Sequence, residues 1–147
     1  MPQNLEAERS VLGALLLHAD AVCDVGFLKA EDFYLPKHQH IYTSILATFN
    51  SRNATDPIVV EEELDRQGVL QDVGGRGQLL DLLESVVSAA GIVYHAEIVR
   101  EKSVQRRLLE TCLDVARRCY ENQAAAKELL DEAERQIFEI ARMDKSG

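Results

Sequence analysis

The chain has 147 residues, 46% of them apolar, with three prolines, eight glycines and a net charge of −9. That length supports one ordinary domain, or a head with an appendage, and the apolar share is enough for a core, which argues against low complexity and disorder. The longest apolar run, Ala14 to Leu17, is far too short to span a membrane, and the N-terminus lacks the basic start and apolar centre of a signal peptide, so the expectation is a cytoplasmic protein.

In chain order, Asn4 is placed to cap a first helix over 5–20, with Glu6 and Glu8 near its positive end. Leu5, Glu8, Val11, Leu12, Leu15 and Leu16 keep the three-four spacing of a buried face, with Gly13 inside it. Glycine costs up to about 1 kcal/mol in a helix interior relative to alanine, which points to close packing against another helix. Asp20 is expected to cap a short helix over 21–25. Residues 29–34 read as a single turn that buries Phe33. Pro36 opens a third helix to about Asn50, with Ile41, Ile45, Leu46 and Phe49 as its buried stripe. After a loop over 51–57, a helix over 59–67 is preferred to a strand, because Val60, Leu64 and the run from Glu61 to Asp65 suit a helix better; Gly68 ends it. Gly74 to Gly77 read as a turn before a fifth helix over 78–87, with Leu79, Leu80, Leu82 and Leu83 apolar.

Residues 91–143 then read as two long helices folded back on each other. The first arm has no proline or internal glycine. Ile92, Ala96, Val99, Ser103, Leu109, Leu113, Ala116 and Tyr120 make its stripe, interrupted at Arg106. Glu121 to Gln123 is the turn, with Asn122 as its left-handed residue. In the second arm, Ala126, Leu130, Ala133, Ile137 and Ile140 form a short heptad-like seam. Leu129, Phe138, Leu108 and Val115 lie off these seams and suggest a further contact. Either the hairpin meets a second copy of itself or it closes a monomeric bundle; periodicity cannot count subunits. The fold class is all-α: a head of about five short helices over 1–91 and a C-terminal antiparallel hairpin over 92–145.

Charge is uneven. Residues 1–91 carry six Lys/Arg against fourteen Asp/Glu; residues 92–147 carry ten against eleven. The head is therefore a poor partner for phosphate backbones. Only the first arm is locally basic, through Arg100, Lys102, Arg106, Arg107, Arg117 and Arg118, and these read as a solvated face paired with nearby glutamates. Cys23, Cys112 and Cys119 have no C-x-x-C spacing and read as reduced, mostly buried thiols.

No catalytic pattern emerges. His38 and His40 point to different faces of a helix and are poor joint ligands; His38 reads as a core or capping residue. Gly74-Gly75-Arg76-Gly77 lacks the Lys-Ser or Lys-Thr pair of a nucleotide loop. Glu61, Glu62, Glu63 and Asp65 spread around a helix instead of converging. Neither a metal nor a cofactor is expected, and elimination leaves an interaction module.

Several short patterns run in order across almost the full chain: Pro2-Gln3-x-Leu5-Glu6-Ala7-Glu8-x-x-Val11-Leu12-Gly13-x-Leu15-Leu16; Glu31-Asp32-Phe33-Tyr34 with His38-x-x-Ile41-Tyr42; Gly74-Gly75 with Leu79-x-x-Leu82; Tyr94-x-x-Ile98-Val99-x-Glu101-Lys102-Ser103-x-x-Arg106-Arg107-Leu108; and Leu130-Asp131-Glu132-Ala133-Glu134-x-x-Ile137-Phe138-x-Ile140. Together they resemble the N-terminal part of bacterial replicative helicases of the DnaB type. The resemblance implies one N-terminal domain made of head and hairpin. It implies hairpins that pair between subunits, three such dimers forming a collar over a hexameric motor, and a collar that docks the C-terminal domain of primase. Helicase loaders touch the parent protein, often elsewhere. The motor, which would use ATP and Mg and engage DNA through the ring, is expected outside this stretch, with a linker beginning near Ser146-Gly147. The parent would be an ATP-dependent DNA helicase; this piece would hold no cofactor and neither hydrolyse ATP nor unwind DNA.

Two residue sets follow. Leu109, Cys112, Leu113, Ala116 and Ile137 are expected to form a self-complementary interface, and Gln78, Leu109 and Val115 to contact primase. Two rival readings stand beside this one: a stand-alone acidic helical regulator that binds basic proteins, and a helical small-molecule binder, which needs a concave apolar pocket.

Overall fold

Asn4 starts the fold: its Oδ1 accepts the Ala7 N–H at 2.9 Å and closes the amino end of α1, Leu5–Leu17. In the computed structural model, which describes residues 1–146, five further α-helices follow: α2 (Pro36–Arg52), α3 (Pro57–Arg66), α4 (Gly75–Glu84), α5 (Ile92–Tyr120) and α6 (Ala126–Ser146). Two 3-10 helices, Ala19–Val25 and Ala30–Asp32, link α1 to α2, and no strand occurs among the described residues. Gly147, at the expected start of a linker, lies outside them.

The hydrophobic stripe of α1 makes it the centre of the core. Val11, Leu12 and Leu15 are wholly buried, and α2, α4 and α5 pack around them. Gly13 has the role expected of it. A Cβ there would lie 2.3 Å from the Leu82 carbonyl oxygen, so only glycine lets α1 and α4 come this close. Phe33 is wholly buried, with its ring centroid 4.9 Å from that of Tyr42. Pro36 and Pro57 occupy opening turns, where a missing N–H costs nothing.

Several local expectations fail for identifiable reasons. α1 ends at Leu17, because His18 turns extended, its N–H still closing the last helical bond to the Ala14 carbonyl. Asp20 then falls inside the first 3-10 helix and makes no capping bond. α4 begins three residues early, at Gly75; Gly74 and Gly75, at φ 103° and 70°, supply the left-handed turn that opens it. Leu80 is exposed, since only Leu79 and Leu82 face inward fully.

Candidate interaction surface

α5 is a single rod of 29 residues with two environments. Its first four turns belong to the core: Ile92, Ala96, Val99 and Ser103 are buried against α1 and the 3-10 segments. Asn122, at φ 52°, then reverses the chain as expected, and α6 returns antiparallel along α5.

A buried carboxylate fixes the rod's base. Asp32 has no exposed surface. Its Oδ2 accepts the Lys29 N–H at 2.8 Å and an Arg100 N–H at 3.2 Å. Its Oδ1 accepts the Ser103 hydroxyl at 2.7 Å and an Arg107 N–H at 3.3 Å. Arg106 donates to the backbone oxygens of Asp32 and Pro2, at 2.8 and 2.9 Å, and its guanidinium lies 5.4 Å from the Tyr34 ring centroid. Arg100 also donates to the carbonyls of Phe27 and Met143, tying both the head and the end of α6 to the same point. These arginines are not the solvated face that charge counting suggests. Arg106 interrupts the apolar stripe because that position faces a cluster of carbonyls. A second buried pair braces the head: Glu8 holds His38 Nδ1 at 2.8 Å and accepts the Tyr34 N–H at 2.8 Å. Burial, then the Asp32 charge, pushes the Tyr42 hydroxyl up to about 12; it donates to the Leu28 carbonyl at 3.0 Å.

Beyond Arg107 the environment changes. Thr111, Asp114, Val115 and Arg118 are half-buried and mark the side of α5 toward α6. Leu109, Cys112, Leu113 and Ala116 lie on other sides and are exposed; Leu113 keeps 59% of its surface and Tyr120 93%. On α6 the phase differs from expectation. Leu129, not Leu130, is buried; Ala133, Gln136, Ile140 and Met143 are half-buried and continue its line, while Leu130, Ile137 and Phe138 are exposed. A helix turns about 100° per residue. Ile137 and Leu130 therefore sit roughly a quarter-turn off the α6 line that meets α5. For an antiparallel partner that is the side on which Cys112 and Ala116 leave α5.

The hairpin is thus a two-helix layer with unlike sides. One presents Cys112, Ala116, Leu130 and Ile137, with Leu109 and Leu113 toward its outer edge. The other carries ion pairs: Arg117 with Asp114 and Glu121 at 2.7 and 2.8 Å, and Arg135 with Glu132 and Glu139 at 2.5 and 2.9 Å. Bonds from Arg135 and Gln136 hold the Glu132 carboxyl below the usual carboxylate range. The groove on that side is lined by Arg107, Glu110, Thr111, Asp114, Gln136 and Glu139 together with Ile140 and Met143.

The structure separates the set Gln78, Leu109 and Val115. Leu109 is exposed on α5, Val115 is half-buried toward α6, and Gln78 is half-buried on α4 with its Oε1 3.5 Å from Lys37 Nζ. Cys23, Cys112 and Cys119 are all exposed, against the expectation of mostly buried thiols. Among the described residues, no group of three or more His, Cys, Asp or Glu is placed to hold a metal ion. The acidic run on α3 is spent on surface pairs: Glu61 with Arg76 at 2.8 Å, Glu62 with Arg52 at 3.7 Å and Glu63 with Arg66 at 2.6 Å. Among the described residues no helix is long and apolar enough to cross a membrane.

The family model of the DnaB-like helicase N-terminal domain matches residues 1–101. The chain is 40% identical over 142 residues to the replicative DNA helicase DnaC of Bacillus subtilis, covering 96% of this chain and 31% of that protein. It is 41% identical over 143 residues to the replicative DNA helicase DnaB of Mycobacterium leprae, covering 95% and 24%. The chain thus spans about a quarter to a third of the length of these relatives. The crystal structure of the N-terminal domain of DnaB helicase from Mycobacterium tuberculosis superposes with a TM-score of 0.89 at 40% identity, covering 94% of this chain and 98% of that one. A DnaB-like replicative helicase, whose structure is described together with its interactions with primase, superposes with a TM-score of 0.75 at 25% identity, covering 93% and 31%.

Proposed function

The chain belongs to the DnaB-like helicase N-terminal domain family, and on that premise we propose that it is the oligomerisation and primase-docking domain of a replicative DNA helicase. Residues 1–91 act as head and 92–145 as hairpin, together forming one N-terminal domain. The hairpin pairs with a second copy through Leu109, Cys112, Leu113, Ala116 and Ile137, and three such dimers build the collar of the hexamer. ATP, Mg and DNA belong to the motor of the parent helicase in the cytoplasm; this domain contributes assembly and docking. A helicase loader is a further partner of the parent. The apolar side of the hairpin carries the reading. A layer with ion pairs on one side and Cys112, Ala116, Leu130 and Ile137 on the other leaves its apolar side for a partner surface to cover.

Sedimentation over a dilution series tests the self-association. A mass that moves between one and two chains with concentration is expected; a single-chain mass throughout the micromolar range overturns it. The primase surface is proposed at Gln78 and Leu109, with Val115 supporting Leu109 from within the hairpin, since Val115 itself faces α6. Titration of a primase C-terminal domain should weaken with Gln78→Glu and with Leu109→Asp. Undiminished binding by both variants rejects that placement.

A further inference from the structure

Between the start of α1 and the first turns of α5 runs an open groove. One hollow, of about 560 Å³, is lined by Asn4 and by Tyr94, Glu97, Ile98, Glu101 and Lys102 of α5. A second, of about 200 Å³, meets it at Asn4 and Ile98 and adds Glu6, Ser10 and His95. The floor is apolar and faces water: Tyr94 keeps 76% of its surface and Ile98 37%. The two are four residues apart, so they sit one above the other on the rod. Ala96 and Val99 take the inward side of the same turns and are buried in the core.

The rim is acidic. Glu6, Glu97 and Glu101 are exposed and, among the described residues, enter no ion pair. The glutamates at 61, 62 and 63 on α3 are each paired with an arginine. Among the described residues that line the groove, Lys102 is the one Lys or Arg. A surface of this sign repels phosphate backbones and anionic headgroups, and it favours a partner that brings its own cations. An exposed tyrosine beside an aliphatic side chain, between two helices, is a seat for apolar side chains projecting from one face of a third helix.

We propose that this groove docks a cationic amphipathic helix of another protein. Its apolar side chains cover Tyr94 and Ile98, and its lysines or arginines lie against Glu97 and Glu101. Ile98 precedes Leu109 by about 16 Å along the rod, so the groove stands apart from the surface proposed for self-association.

The test uses the full chain and a fluorescein-labelled synthetic helix of leucine and lysine, its leucines on one face, read by anisotropy. A second peptide has the same composition in shuffled order, and so the same charge without the apolar face. The first peptide should bind in the micromolar range and the shuffled one about tenfold more weakly. Tyr94→Ser should weaken binding about tenfold through the lost aromatic anchor. Glu97→Gln combined with Glu101→Gln should weaken it about threefold and flatten its dependence on salt. Glu62→Gln combined with Asp65→Asn removes the same charge from α3 and should leave binding unchanged. All of these side chains are exposed, so circular dichroism of each variant should match that of the parent chain. Equal binding of the two peptides, no response to either groove variant, or an equal loss in the α3 variant overturns the proposal, because charge alone then accounts for the binding. Failure of the first peptide to bind overturns it too. A Tyr94→Ser chain whose own mass falls in sedimentation makes a second copy the occupant, and that also overturns it.

Discussion

Between Ile92 and Arg106, α5 lays one face against the head; between Leu108 and Tyr120 it is covered only on the side of α6. The first part buries charge, with Arg100 and Arg106 around Asp32, and the second carries the exposed leucines. The interior of a protein is not simply its apolar part. A buried ion cluster adds little net stability but becomes costly when one member is removed, so it holds a geometry more than it strengthens a fold. The base of α5 sets direction, and the tip is left to an outside surface.

Removing the carboxylate at the base should have the largest effect. Asp32→Ala leaves Arg100 and Arg107 facing a site without its counter-charge and is expected to cost about 3–5 kcal/mol by urea unfolding. A loss below about 1 kcal/mol would show that base and tip do not differ as described. Leu113→Asp should act on association alone. It raises the dimer dissociation constant by about a hundredfold, on the order of 3 kcal/mol. Monomer stability stays within about 0.5 kcal/mol, because the side chain is exposed in the single chain. Sedimentation and denaturation of the same variant separate the two effects.

Alkaline pH sharpens the contrast from the buried side. The folded Tyr42 hydroxyl titrates at about 12, above its ordinary 10.0. Its contribution is complete below pH 10 and disappears as pH rises through 12, because the unfolded chain releases that proton first. Unfolding curves should therefore show a loss of about 2–3 kcal/mol across that interval, and Tyr42→Phe should remove that part of the slope. The smallest effect is expected at the start of the chain: Asn4→Ala should cost about 1 kcal/mol through the lost Ala7 bond, measured by thermal unfolding, and leave the dimer constant unchanged.

These differences follow what a sequence can carry. The Asn4 cap, the proline at 36, the Gly13 contact and the Asn122 turn are legible, because each depends on neighbours within a turn or two or on one missing side chain; Pro57 reads as loop, yet it opens α3. The Asp32 cluster is not legible. Its arginines lie 68 to 75 residues from the carboxylate, and a charge count cannot distinguish an arginine in water from one folded onto carbonyls. The seam of α6 was misphased because Leu129 and Leu130 are adjacent and both apolar, so only packing decides which turns inward. Composition alone reads the cysteines as mostly buried, whereas the exposure of Cys112 and Cys119 depends on which side of α5 meets α6. Of the candidate surface, Leu109, Cys112, Leu113, Ala116 and Ile137 are exposed together. Val115 belongs to the expected primase set, yet it is half-buried toward α6.

The Asp32 cluster also stands at a fulcrum. From Arg107 to Tyr120 the rod extends about 20 Å past its last anchor in the head. A tilt of ten degrees at those guanidinium groups would swing the far end about 3.5 Å, more than half a helical turn. A small adjustment at the pivot is thereby magnified into a displacement of the rod's far end.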